Sequence, residues 1–183
     1  MNPVSIIKRA GRAVLRRASA SIALLNARRN SHRRLARGEI RRILVVCYGN
    51  IYRSAFVGEI LRTALRGRIE VRSAGFHPVA ERCSPEAHVR MCAGLNVDLS
   101  THRSSVVSAE DIQWADTIIL MDRHNWTALR ALGAPQDKLV WLGTLIPGPV
   151  EIRDPYGMNE AAARDVVGRL HGATQMLLTR HLC

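Results

Sequence analysis

From Arg42 onward, short apolar runs alternate with longer segments whose hydrophobic positions recur at helical spacing. The apolar runs predict four β-strands, at residues 43–46, 69–72, 117–121 and 138–142. Helices are predicted at residues 54–65, at 84–94 with Ser84 as the cap, from Ser108 onward, and at 160–180. Strands that alternate with helices form a parallel sheet covered on both faces. The sequence therefore predicts a four-stranded parallel sheet in a three-layer α/β/α fold.

Residues 1–41 follow a different pattern, and we expect an N-terminal basic helical extension next to a domain at residues 42–183. Asn2-Pro3 is typical of a helix start. One apolar stripe then recurs at spacings of three and four: Val4, Ile7, Gly11, Val14, Ala18, Ile22 and Leu25. Such basic amphipathic helices lie on anionic membranes, although a poorly ordered arm and a targeting leader are alternatives. Deleting residues 1–38 is expected to preserve activity.

The charge divides in the same way. Residues 1–42 contain 12 Arg or Lys and one acid, and residues 43–183 contain 15 and 14, within a total net charge of +12. A strongly basic protein suggests a nucleic-acid partner, but here the predicted domain is nearly neutral. We therefore expect no specific nucleic-acid binding, and we assign any contact with an anionic membrane surface to residues 1–38.

The cysteines indicate a reducing compartment. Cys47, Cys83, Cys92 and Cys183 form no CxxC pair, and no histidine cluster has the spacing of metal ligands. We expect neither a disulfide scaffold nor a metal site, and no cofactor. No apolar run reaches the roughly 18 residues needed to span a bilayer. A cytoplasmic protein, peripheral at most to the inner face of the membrane, fits these features.

The loop after the first predicted strand, residues 47–54, has the sequence CYGNIYRS. In an open α/β sheet this is where ligands bind, and the main-chain N–H groups of residues 48–53 can form an anion nest beside a helix N-terminus. Gly49 suits the tight turn, Asn50 suits a left-handed backbone position, and Arg53 can hold two phosphate oxygens. The same positive potential favours a thiolate at Cys47, for which an inert core thiol is the alternative.

Three ordered motifs give the chain from about Arg42 onward a resemblance to the low-molecular-weight protein tyrosine phosphatases. They are Cys47 to Ser54, Ser73-Ala74-Gly75 and Asp154-Pro155-Tyr156. The resemblance implies hydrolysis of phosphotyrosine through a phosphocysteine on Cys47, with Arg53 as the phosphate clamp and Asp154 as general acid and base. It implies no metal. The phosphate-binding residues would be Tyr48, Gly49, Asn50, Ile51, Tyr52, Arg53 and Ser54.

The resemblance also implies supporting roles. Asn50 would hold the loop through hydrogen bonds with Ser54, Ser73 and His102. Tyr156 would form one wall of a cleft for the phenyl ring, with Tyr48, Tyr52 or Phe76 opposite. Asp122 matches a further family position, to which we assign a structural role.

The sequence departs from the family at Tyr52 in this loop and at Ala55 directly after it, and Tyr48 adds a bulky side chain at a variable position of the loop. Tyr52 replaces the second cysteine, which traps the oxidised nucleophile as a reversible disulfide, so Cys47 is expected to overoxidise more readily. Ala55 replaces the usual proline. Neither change removes a residue that the chemistry requires.

Three other functions are compatible with parts of the pattern. An arsenate reductase of the same fold needs two cysteines after the third strand, where residues 117–126 contain none. Protein-arginine phosphatases carry threonine in place of Ile51. A non-catalytic phosphotyrosine-binding module at a membrane would not need Asp154. By family analogy, the partner would be a phosphotyrosine protein such as a membrane tyrosine kinase of exopolysaccharide assembly.

Overall fold

The computed structural model describes residues 19–182, and a four-stranded sheet lies at their centre. Its strands are β1 (Arg42–Cys47), β2 (Glu70–Gly75), β3 (Thr117–Leu120) and β4 (Leu139–Trp141). They are ordered β2-β1-β3-β4, and all three pairings are parallel. The predicted sheet is thus confirmed, with each strand within a few residues of its predicted position.

Six α-helices are described: α1 (Ala27–Leu35), α2 (Arg53–Ala64), α3 (Glu86–Ala93), α4 (Ala109–Trp114), α5 (Arg123–Ala131) and α6 (Glu160–Leu177). Residues 19–25 are also helical and lead into α1 through a turn at Asn26. Short 3-10 turns at Gln136–Lys138 and Leu142–Leu145 flank β4, and a π-helical turn at Leu178–Leu182 follows α6. No helix within residues 19–182 has the length and apolar character needed to cross a membrane.

The alternation of side chains along β1 creates two separate cores. Ile43, Val45 and Cys47 face one side, where they pack with buried residues of α2, α3 and α6. Leu44 and Val46 face the other side, with buried residues of α4 and α5. Because successive strand residues point to opposite faces, this run of apolar residues fills both layers, as in a buried parallel strand. The predicted three-layer α/β/α arrangement is confirmed.

Helix α1 contributes Ala27 to the second core and Leu35 to the first. Ala27 is fully buried, and Ser31 Oγ accepts a hydrogen bond from the main-chain N of Trp141 in β4 at 3.0 Å. Arg28 donates to three carbonyl oxygens after β4, those of Thr144 (2.9 Å), Ile146 (3.4 Å) and Gly148 (2.8 Å). The predicted boundary at residue 41 therefore separates α1 from a domain that it contacts, and loss of α1 would uncover β4. The predicted stripe positions from Val4 to Ala18 lie outside the described residues.

Two local predictions differ from the structure. Ser84 does not cap α3, because Pro85 is the N-cap residue and the buried Ser84 hydroxyl has no hydrogen-bond partner within the described chain. Helix α5 was not predicted, and Asp122 begins it by accepting a hydrogen bond from Asn125 N at 2.8 Å. Ser108 does cap α4, through a reciprocal capping box with Asp111.

Candidate active site

The candidate site lies where β1 ends and α2 begins. Residues 48–52 form the loop between them, so their main-chain N–H groups lie beside the N-terminus of a helix. Asn50 has a φ of 50°, the left-handed conformation predicted for it. Gly75, at the end of β2, lies against this loop, where a Cβ would be 2.7 Å from Tyr48 O and 2.9 Å from Asn50 N. Only glycine permits this approach, which explains the last residue of the Ser-Ala-Gly motif.

Cys47 Sγ accepts two hydrogen bonds from this loop and helix. Asn50 N lies 3.2 Å from the sulfur and Ser54 Oγ lies 3.1 Å from it. Asn50 Nδ2 donates to Ser54 Oγ at 2.9 Å, which leaves the serine hydroxyl hydrogen available to the sulfur. Donors directed at a sulfur stabilise its anionic form, so this arrangement suits a thiolate nucleophile.

Asn50 connects the loop to the segment after α3. Its carbonyl oxygen lies 2.7 Å from His102 Nε2, and because a carbonyl only accepts, the histidine nitrogen is the donor. Burial lowers the pKa of His102, although the hydrogen bond to Asn50 opposes this shift. Asn50 Oδ1 accepts from Ser105 N at 2.8 Å. The predicted bond to Ser73 is not formed within the described chain, where the Ser73 side chain lies against Gly58 of α2 instead.

Arg53 is 1% exposed and is held by two carboxylates and a carbonyl. Its Nη1 donates to Asp122 Oδ2 at 2.6 Å and to Ile152 O at 3.0 Å, while Nη2 donates to Asp154 Oδ2 at 2.5 Å. Burial lowers the pKa of Arg53, but the charges of Cys47, Asp154 and Asp122 outweigh it, and the net pKa is raised. Arg53 is therefore a fixed cation, and the structural role predicted for Asp122 consists of holding its guanidinium.

Asp154 and Cys47 line the same cavity, which has a volume of about 400 Å³. Its other lining residues are Tyr48, Gly49, Ile51, Tyr52, His77, Arg82 and Tyr156. Asp154 Oδ1 accepts a hydrogen bond from Tyr156 N at 3.2 Å, which orients the carboxyl group. The structure thus brings the predicted nucleophile and the predicted acid, 107 positions apart in the chain, to one cavity.

Aromatic rings form two groups around this cavity. Tyr52 and Tyr156 are in edge contact, with ring centroids 6.4 Å apart, so they belong to the same wall as Asp154. Tyr48 is in edge contact with His77 at 5.8 Å and forms the second group. Of the three residues predicted for the opposite wall, Tyr48 and Tyr52 line the cavity, and Tyr52 contacts Tyr156 itself. Phe76 does not line it, because it packs against the second core.

Sequence reasoning missed three residues near the site. Arg82 Nη2 donates to Gly49 O at 2.5 Å, and His77 lines the cavity beside Tyr48. His88 is buried against the Tyr52 ring, with centroids 4.6 Å apart, and its Nε2 lies 3.4 Å from Cys92 Sγ. His77 and Arg82 follow the Ser-Ala-Gly motif within seven residues, and that proximity is the only signal the sequence offered for them.

Cys83 is exposed and Cys92 is buried, and neither lines the cavity. Burial raises the pKa of Cys92 to about 12, so this thiol stays protonated. In the described part of the chain, no group of three or more His, Cys, Asp or Glu side chains is placed to hold a metal ion.

Comparison with known proteins identifies the same region. A family model described as low molecular weight phosphotyrosine protein phosphatase matches residues 42–182. The low molecular weight protein-tyrosine-phosphatase Etp of Escherichia coli K12 is 33% identical over 135 residues, which cover 73% of this chain and 89% of the relative. A protein-arginine-phosphatase of Geobacillus stearothermophilus is 31% identical over 63% of this chain and 79% of its own length. The crystal structure of the Erwinia amylovora tyrosine phosphatase AmsI matches with a TM-score of 0.74 at 27% identity, covering 81% of this chain and 97% of that one.

Proposed function

The chain belongs to the low molecular weight protein-tyrosine-phosphatase family and hydrolyses phosphotyrosine, and we propose that Cys47, Arg53 and Asp154 carry out this reaction. The observation that supports the assignment is the shared cavity of Cys47 and Asp154, with Arg53 bonded to the latter. The proposed phosphate-binding residues are those of the loop, from Tyr48 to Ser54.

In the first proposed step, the Cys47 thiolate attacks phosphorus in line and the bond to the tyrosine oxygen breaks. The main-chain N–H groups of the loop and the guanidinium of Arg53 stabilise the equatorial oxygens as negative charge develops on them. Asp122 keeps Arg53 in place during this step through its contact with Nη1. The product is a phosphocysteine.

Asp154 acts in both steps. Its proton passes to the departing phenolic oxygen in the first, and its carboxylate then takes a proton from the water that cleaves the S–P bond.

The aromatic residues at the cavity are the basis of the proposed preference for phosphotyrosine. Tyr48, Tyr52 and Tyr156 all line it, and we propose that a flat phenyl ring packs against them to bring its phosphate to Cys47. A phosphoserine side chain is too short to reach the sulfur while its main chain stays outside these rings. His102 completes the proposal as a supporting residue that acts through Asn50 O, and Ser73 as one that supports α2 through its packing against Gly58.

Turnover of p-nitrophenyl phosphate tests the residue assignments. Cys47→Ser is expected to lose activity by at least about 10³-fold, because the nucleophile is removed. Asp154→Asn is expected to slow turnover by about 10²-fold, more for aryl phosphates with poorer leaving groups, because the departing oxygen is no longer protonated. Asp165→Asn, an exposed acid on α6, is the matched control. If Asp154→Asn matches the control, Asp154 is not the acid and the non-catalytic binding function gains support.

A panel of phosphotyrosine, phosphoserine and phosphoarginine peptides tests the substrate class. The second candidate, an arginine phosphatase, is favoured by the similarity to the Geobacillus enzyme, but Ile51 rather than threonine lines the cavity here. Arsenate reduction is disfavoured, because Cys83 and Cys92 lie away from the cavity. A thioredoxin-coupled arsenate assay would detect it.

We propose a membrane tyrosine kinase of exopolysaccharide assembly as the partner, and a cytoplasmic location at the inner face of the membrane. The support for the location is the basic extension. Ile22 is 59% exposed and Leu25 is 85% exposed, and exposed Arg29 and Arg33 follow at helical spacing. A face of this kind suits an anionic lipid surface.

A further inference from the structure

Arg82 lines the cavity next to the proposed phosphate-binding loop. Its Nη2 donates to Gly49 O at 2.5 Å and its Nε donates to Val79 O at 3.2 Å. These two bonds fix the guanidinium against the loop, while its Nη1 makes no hydrogen bond within residues 19–182. Arg82 therefore offers a positioned donor to the cavity.

The charge of Arg82 is not neutralised by a carboxylate. Arg53 pairs with Asp122 and Asp154, and Arg123 pairs with Glu151. Arg82, in contrast, takes part in none of the ion pairs formed by the described residues, and its two partners are neutral carbonyl oxygens. A cation held in this way retains its full attraction for an anion that approaches the cavity.

Arg82 and Asp154 both line the cavity but contact different neighbours. Arg82 contacts Gly49, next to Tyr48, whereas Asp154 lies with Tyr52 and Tyr156. His77, in edge contact with Tyr48, adds a second donor there: its Nδ1 accepts from Val79 N at 3.1 Å, so the proton of the neutral ring is on Nε2. A phenyl ring that packs against Tyr48, Tyr52 and Tyr156 would leave its neighbouring residues within reach of these donors.

We propose that Arg82 is a specificity-determining residue that binds an anionic group carried by the substrate protein beside its phosphotyrosine. That group is either a carboxylate or the phosphate of a second phosphotyrosine, since both match the guanidinium fork. The proposal rests on the proposed function, because it concerns the residues that flank the hydrolysed phosphotyrosine.

The test compares kcat/KM for four matched phosphotyrosine peptides. Their flanking residues are Gln, Glu, Lys or a second phosphotyrosine. The wild-type protein is expected to prefer the Glu peptide over the Gln peptide by about 5-fold, the upper range for a solvent-accessible ion pair. Arg82→Gln should bring this ratio close to one, Arg82→Lys should keep most of it, and Arg82→Glu should favour the Lys peptide.

Comparing the Glu peptide with the doubly phosphorylated peptide shows whether Arg82 prefers a carboxylate or a phosphate. A larger preference for the doubly phosphorylated peptide that also disappears in Arg82→Gln identifies phosphate as the preferred group. Arg90→Gln is the control, because Arg90 is an exposed arginine on α3 outside the cavity lining and its loss changes the net charge equally.

The proposal is overturned if Arg82→Gln leaves the ratio of kcat/KM between the Glu and Gln peptides unchanged. It is also overturned if Arg90→Gln lowers this ratio as much as Arg82→Gln does, because the net charge alone would then explain the preference. If Arg82→Gln is inactive because Gly49 moves, the affinities of the same peptides are compared in Cys47→Ser with and without Arg82→Gln. Failure of the wild-type protein to hydrolyse the Gln peptide would refute the proposed function instead, and the affinity ratios would still decide the role of Arg82.

Discussion

Asn50 shows how much of the site one residue can determine. Its left-handed backbone directs its N–H to Cys47 Sγ, its side chain bridges Ser54 and Ser105, and its carbonyl oxygen accepts from His102. Asparagine tolerates this backbone conformation better than most residues and also supplies a side-chain donor and acceptor. Glycine would allow the conformation but would lose both side-chain bonds, so the loop needs asparagine for two separate reasons.

A second residue supports the same loop from inside the core. His88 is 3% exposed and packs against the Tyr52 ring. Burial lowers its pKa to about 4, with the hydrogen bond to the Tyr52 main chain and the charge of Asp154 opposing the shift. The folded protein therefore holds His88 neutral at pH values where an unfolded chain would protonate it.

This difference predicts an acid-labile fold. Between pH 6.5 and about pH 4 the unfolded chain binds a proton that the folded His88 does not, so the free energy of unfolding falls as the pH falls through this window. The lowered pKa of His88 corresponds to a loss of about 3 kcal/mol in the free energy of unfolding across this window. Below about pH 4 both states bind the proton, so His88 causes no further loss. Urea unfolding at pH 7 and pH 4.5 measures the effect. In His88→Phe, the loss of stability between these two pH values should be smaller by about 2 kcal/mol.

The control for this prediction is His124→Gln, which replaces an exposed histidine on α5. It should leave the pH dependence as in the wild-type protein. If His88→Phe and the wild-type protein lose equal stability on acidification, His88 does not carry the effect.

At the residue scale, the sequence predicted the groups that the chemistry itself demands. A phosphate-binding thiolate needs a cysteine, a nest of N–H groups and an arginine within one loop, so Cys47 and Arg53 could be read from local spacing. Ser105, Arg82 and His88 could not, because each is more than 30 positions from the loop residue that it contacts. The predicted partner of Asn50 was Ser73, but Ser105 N donates to Asn50 Oδ1 instead. Local sequence could not show this, because the packing of distant segments decides which donor reaches that oxygen.

Among the secondary-structure elements, α1 has the least expected position. In α1 and the helical residues 19–25 before it, four small buried residues recur at spacings of three and four and form the face that packs towards the sheet: Ala20, Ala23, Ala27 and Ser31. Small residues on that face let the helix approach β4 closely enough for Ser31 to accept from Trp141 N. Strand β4 is at the edge of the sheet, so α1 also covers an edge that would otherwise be open to another chain.

Truncation tests this role of α1. Deleting residues 1–38 removes the face that covers Trp141, which is fully buried, and the three bonds from Arg28. The free energy of unfolding should fall by about 3 kcal/mol or more, which for a chain of this size corresponds to about 10 °C in thermal midpoint. Thermal unfolding followed by circular dichroism provides the measurement.

Deleting only residues 1–18 is the matched control, because it keeps Ala27, Arg28 and Ser31 together with their contacts to the domain. Its thermal midpoint should stay within a few degrees of the full chain. Equal midpoints for both truncations would show that α1 does not stabilise the domain.

The elements that sequence analysis located have strong local signals. Strand β1 is a β-branched apolar run, and α4 begins with a capping box. Helix α5 has a weaker signal, because its N-cap, Asp122, follows strand β3 almost directly and the sequence there also fits the end of that strand. The face of residues 19–35 that packs inward could not be identified either, since its alanines are less hydrophobic than Ile22 and Leu25, which point to solvent. Hydrophobicity alone selects the wrong face where close packing requires small residues.

On the scale of the whole molecule, the excess positive charge and two exposed apolar side chains, Ile22 and Leu25, lie in the same N-terminal segment. Residues 1–42 carry +11 of the net charge of +12. In the described part of this segment, Arg28 and Arg34 donate to carbonyl oxygens of the domain. Arg29 and Arg33 are exposed on the face that also exposes Ile22 and Leu25. The helical segment at residues 19–35 therefore has an alanine face bound to the sheet and a mixed basic and apolar face directed outward.

We expect this outward face to bind anionic membranes without a change in the fold. The double variant Ile22→Ser/Leu25→Ser should bind vesicles that contain phosphatidylglycerol about 10-fold more weakly than the wild-type protein, because two apolar side chains no longer enter the interface. Its thermal midpoint should be unchanged, since both side chains are exposed in the free protein. Leu132→Ser, at an exposed position after α5, is the control and should bind like the wild-type protein. Vesicle sedimentation at two salt concentrations measures the binding. Equal binding of the wild-type protein to neutral phosphatidylcholine vesicles would contradict the membrane role of this face, and so would unchanged binding of the double variant to the anionic vesicles.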